Sequence, residues 1–96
     1  MNTTRHASKR TKERVGIKKK AVDRLRDIAF DIGVKHNEVS GRFKKYFDYL
    51  YFSHETANNV RVHGDFVWVF GGETLITVFP LPNQFKNAAK KARGKR

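Results

Sequence analysis

The chain has 96 residues, no cysteine, 39% hydrophobic residues and a formal net charge of +12. That length suits one small domain, and eight Phe, three Tyr and one Trp make it a folding sequence rather than a disordered one. The composition excludes disulfides and thiolate metal sites. No apolar run approaches the ~18–20 residues of a membrane span, and the basic N-terminus lacks the apolar stretch of a secretory signal; a cytoplasmic location is expected.

Residues 1–20 hold eight Lys/Arg against one acid, Glu13. Thr3 or Thr4 can cap a first short helix over about 5–15, which Gly16 ends. On such a helix His6, Arg10 and Arg14 recur every four residues and form one stripe, which Lys18 continues. The stripe is either a solvated face or a contact for a polyanion. Lys19 and Lys20 extend the basic run.

A second helix follows from Ala21, Leu25, Ile28, Ala29 and Ile32, spaced i, i+4, i+7, i+8, i+11, with Gly33 as its stop. Asp23, Arg24, Arg26, Asp27 and Asp31 are expected on its solvated side. Val39, Phe43, Tyr46, Phe47 and Leu50 continue the helical period. They predict a helix over 40–47 and a strand over 49–53. The seven or so residues between these helices exceed the ~3–4-residue turn of a helix-turn-helix.

From Asn59 the period becomes two. Strands are expected over 59–63, 66–70 and 74–80, joined by tight turns at Gly64-Asp65 and Gly71-Gly72. This register gives a β-branched face of Val60, Val62, Val67, Val69, Ile76 and Val78, packed on helices. The other face carries Arg61, His63, Phe66, Trp68, Phe70, Leu75, Thr77 and Phe79. It is either covered by a helix or is a binding surface.

Residues 84–96 hold six bases and no acid and are expected as a short frayed helix or a disordered arm. The sequence therefore predicts an α+β fold with two or three N-terminal helices on a three- or four-stranded antiparallel meander. Residues 1–83 form the domain and 84–96 a basic tail. The +12 divides as +7 over 1–20, −1 over 21–83 and +6 over 84–96. A nearly neutral middle between two basic arms is the footprint of a protein that meets a polyanion. Lys18, Lys19, Lys20, Lys90, Lys91 and Arg93 are the expected contacts, and RNA the expected partner. The four histidines lack metal-ligand spacing and have no acid cluster beside them, so no metal or cofactor is expected.

The order of helices then meander, the basic surface and the closing strand TLITVFPLP resemble the compact endoribonuclease fold of RelE-like toxins, barnase and the colicin tRNases, over about 17–82. The string HASKRTKER and the stretch from Asn59 to Pro82 (NVRVHGDFVWVFGGETLITVFPLP) are also similar to small proteins of phages and conjugative elements in Gram-positive bacteria. Anti-CRISPR proteins occur among such proteins.

The first resemblance implies a metal-independent ribonuclease, in which the ribose 2′-OH attacks the adjacent phosphate. That chemistry needs a base, an acid and cations for the charge on phosphorus. His6 or His63 would be base or acid. Arg10, Arg14 and Arg61 would hold the phosphate, in one groove with His6, and Thr77 would donate a further hydrogen bond. The RNA would be guide RNA, tRNA or ribosomal RNA, and an acidic antitoxin would be a partner. The second resemblance implies a non-catalytic alternative: an inhibitor of a Cas9 ribonucleoprotein, or a small DNA-binding regulator.

Overall fold

The computed structural model describes residues 2–3, 19–53 and 57–94. The fold is α+β, in chain order β1 (Asn2–Thr3), α1 (Lys19–Ile32), α2 (Gly41–Ser53), β2 (Asn59–His63), β3 (Phe66–Gly71), β4 (Thr74–Pro80) and α3 (Lys86–Gly94). The sheet order is β1-β4-β3-β2, antiparallel except that β1 runs parallel to β4. Thr3 is a strand residue paired with Leu75. The expected helix over 5–15 lies outside the described residues.

The sheet is buried on both faces. One face packs Val60, Val62, Val67 and Val69 against Phe43, Phe47 and Leu50 of α2 and against Phe85 and Ala92. The other packs Trp68, Phe70, Leu75 and Val78 against Val22 and Ala29 of α1. The mixed aromatic face is therefore a core. Trp68 is 1% exposed, and its indole N–H donates to the His63 carbonyl at 3.2 Å, which satisfies its polar end.

The β2–β3 register agrees with the sequence reading: Val62 faces Val67 and Val60 faces Val69. Their turn, Gly64-Asp65, has φ +60° and +63°, as a type I′ hairpin requires. The next hairpin differs. Its two turn residues are Gly72 and Glu73, since Gly71 pairs with Thr74. A bulge then leaves Ile76 unpaired between Val69↔Thr77 and Phe70↔Leu75. Beyond the bulge every side chain changes face. Val78 joins the Trp68 core, Phe79 packs on the valine core, and Val67 faces Phe79 rather than Ile76.

Two further expectations are corrected. Residues 49–53 are not a strand, because the helix continues to Ser53. The inward stripe of α1 is Val22, Arg26 and Ala29, continued by Gly33 just beyond its end, and is turned by roughly a quarter-turn from the expected one. Ile32 is 52% exposed, whereas Arg26 is 8% exposed. Its guanidinium donates to Asp23 at 3.1 Å and Asp27 at 3.0 Å, so the charge enters the stripe already partnered.

After α1 the chain crosses the β2 edge. Val34 and Val62 exchange backbone hydrogen bonds of 2.8 and 3.1 Å. Gly33 makes the crossing possible: a Cβ there would lie 2.4 Å from the Ala29 carbonyl oxygen and 2.8 Å from the Arg61 Cβ. This crossing puts α2 on the opposite face of the sheet from α1.

Candidate nucleic-acid interface

The segment expected as a frayed or disordered arm is helical, and its beginning is anchored. Phe85, 8% exposed, stacks on Phe43 (centroids 5.2 Å apart) and on Tyr46 (4.8 Å). Burial raises the Tyr46 pKa, with the neighbouring Tyr49 adding to the shift. Ala92 is buried, and Ala88 and Ala89 are half-buried against the same core. The Leu81 N–H donates to the Asp65 carbonyl at 2.9 Å, tying the approach to α3 to the β2–β3 turn. Alanines inward and cations outward make the tail an amphipathic helix.

This seating fixes where its cations point. Lys86, Lys90 and Arg93 line an open cavity of about 230 Å³ with Val34, Val62, His63, Gly64, Asp65 and Ala89. On a helix these positions (i, i+4, i+7) share one side, with rises of ~6 and ~10.5 Å from the first. None of the three makes an ion pair with a described acid. Asp65 is the one acid of the lining. Lys91 points elsewhere, into a smaller cavity of about 120 Å³ with Glu38, Val39, Ser40, Phe43, Ala88 and Ala92.

The structure thus brings together His63, Lys90 and Arg93 of the expected site residues. It adds Lys86, whose signal in the sequence was its helical spacing from Lys90 and Arg93. Arg61 is corrected. It is 9% exposed, and its guanidinium is spent on the interior. It donates to the Phe30 carbonyl at the end of α1 (3.4 Å), the Val60 carbonyl (3.3 Å) and Asn59 (3.2 Å). It also lies 5.3 Å from the centre of the Phe30 ring. Burial lowers its pKa, partly offset by Tyr51 and Glu38. Thr77 is corrected as well: it is 6% exposed and pairs with Val69, on the sheet face opposite His63. His6, Arg10, Arg14 and Lys18 lie outside the described residues. Lys19 and Lys20 open α1.

Of the other histidines, His54 lies outside the described residues. His36 is engaged by α2: its Nε2 is 2.6 Å from Asp48 Oδ1, and its ring meets Tyr51 edge-on at 5.8 Å.

Charge divides across the sheet. The sequence of α1 carries four bases and three acids. The sequences of α2 and α3 together carry seven bases and one acid, and that acid, Asp48, is the partner of His36. The α2–α3 layer is a positive surface held on a rigid core. It can bind a row of phosphates.

No protein-family model, curated protein or solved structure matches this chain. The functional reading therefore rests on these residues.

No helix among the described residues is long and apolar enough to cross a membrane.

Proposed function

We propose that the protein binds RNA through its phosphate backbone, using the α2–α3 layer and the Lys86–Lys90–Arg93 groove beside α3. One observation carries the reading: seven bases and one acid share the two helices on one side of the sheet, and three of those bases line one open groove. Cations placed along a helix give backbone affinity without base readout. The eight bases of residues 1–20 add to the chain's positive charge. The test is titration of the full chain against labelled RNA over a salt series. Binding that weakens steeply with salt supports the proposal. Absence of binding at low salt, or no salt dependence, removes it.

A second reading, metal-independent cleavage of that RNA, is favoured by the presence of His63 in the groove beside three cations. It requires cleavage in EDTA that leaves a 2′,3′-cyclic phosphate. His63→Ala is then expected to lower turnover by ~10²–10⁴ with binding retained. Wild-type protein that binds RNA and leaves it intact ends this reading alone.

A further inference from the structure

The outer face of α2 carries a second feature that phosphate binding does not use. Tyr49 is 63% exposed and Phe52 is 86% exposed. Helix α2 already buries Phe43, Phe47 and Leu50, so its core face is complete without them. Tyr49 and Phe52 are instead in line with Arg42 and Lys45, both exposed. The order Arg42, Lys45, Tyr49, Phe52 (i, i+3, i+7, i+10) keeps one side of a helix for ~15 Å. Two cations are followed by two aromatic rings whose Cβ atoms are ~5–6 Å apart.

We propose that this stripe is a stacking platform for the bases of a single-stranded nucleic acid, with Arg42 and Lys45 on its phosphates and Tyr49 and Phe52 against successive bases. The proposal rests on the RNA-binding reading above and names the form of the nucleic acid.

Three observations favour this occupant. The stripe is continuous in charge with a layer holding seven bases and one acid, which suits a polyanion. A second copy of the chain would bring two such layers together, which like charge opposes. The exposed apolar groups are rings, whose flat faces suit bases, and stacking of that kind is indifferent to sequence. In a duplex the base faces are already stacked on each other, so only an unpaired strand can use the platform.

The experiment is fluorescence anisotropy of the full chain with a labelled twelve-nucleotide oligouridine and with a twelve-base-pair RNA duplex. Tyr49→Ala and Phe52→Ala are each expected to weaken oligouridine binding about tenfold. Duplex binding should change by less than about twofold. The dependence on salt should keep its slope, since no phosphate contact is lost. Phe52→Trp should keep wild-type affinity, and its emission should be quenched by oligouridine. The native Trp68, 1% exposed, is shielded from such quenching. Melting curves of all variants should match wild type, because both side chains are exposed.

Equal loss for single strand and duplex, or no loss for either, overturns the platform. A change of mass in sedimentation, in place of a change in RNA binding, overturns it in favour of a protein partner. If Tyr49 and Phe52 prove silent while Lys86, Lys90 and Arg93 still set the affinity, backbone binding survives and the platform falls. If wild type binds neither nucleic acid, both fall.

Discussion

Neutralising the groove without disturbing the helix that carries it is the decisive perturbation. In the variant Lys86→Gln/Lys90→Gln/Arg93→Gln the long side chains remain and three charges go. Lys90 and Arg93 are exposed and Lys86 is half-buried, so each substitution should change stability by no more than about 0.5 kcal/mol. Each phosphate contact contributes about 0.7 to the slope of log affinity against log salt for single strands, and about 0.9 for duplex. Losing three contacts should flatten the slope by about 2 on single strands. Over a fourfold rise in salt, that makes the variant's loss of affinity about 16-fold smaller than the wild type's. The control is Lys91→Gln, which removes one charge from the other side of α3. It should change the slope by no more than one contact's share, about 0.7. Anisotropy across a salt series reads both. A triple variant with wild-type slope and wild-type melting would place the phosphates elsewhere and refute the argument. Deleting 84–96 is not an equivalent test. It removes Phe85 and Ala92 from the valine core, and loss of one buried Phe side chain alone costs about 3–5 kcal/mol, a large share of a small domain's stability.

Two other outcomes follow from the packing. Gly33→Ala sets a Cβ against the Ala29 carbonyl and the Arg61 Cβ; it should cost about 2–3 kcal/mol and lower the melting temperature by about 10 °C or more, and a wild-type melt would refute the close approach at the β2 edge. Arg61→Lys loses the fork that spans Phe30, Val60 and Asn59; it should destabilise the fold by about 1–3 kcal/mol with RNA affinity unchanged in the folded protein, and lost affinity at unchanged stability would return Arg61 to the site.

The period-two run from Asn59 specified the three antiparallel strands, because alternation on a pleated chain is a local property. The β2–β3 register was equally legible, since Gly64-Asp65 is a turn with one good solution. The next hairpin was not. Gly71-Gly72-Glu73 admits two neighbouring turns, and nothing in Thr74–Pro80 marks Ile76 as the bulged residue. One bulge then reversed the faces of Thr77, Val78 and Phe79, which set Thr77 beside Val69 in the interior, 6% exposed. Arg26 and Arg61 misled for another reason. A charged residue reads as solvated, yet Arg26 carries its acids on its own helix and Arg61 finds one carbonyl, that of Phe30, 31 residues away in sequence. The Phe30 carbonyl is visible as a partner only once the chain is folded. The basic tail misled in the opposite sense: its charge hid the spacing of Phe85, Ala88, Ala89 and Ala92, which is that of a helix seated on a core.

Burial of both sheet faces leaves function to the helical exteriors and to the ends of the hairpins. In the first of these places the two helices that share the valine face concentrate the cations, while α1 on the other side balances most of its own. Anchoring matters as much as charge. Cations on a frayed arm would lose conformational freedom on meeting a phosphate, whereas those on α3 are held by Phe85 and the alanines before any ligand arrives. The same core holds α2, so the Lys86–Lys90–Arg93 groove and the exposed rings of Tyr49 and Phe52 are carried by helices joined through the stacking of Phe43 and Tyr46 on Phe85, the residue before α3.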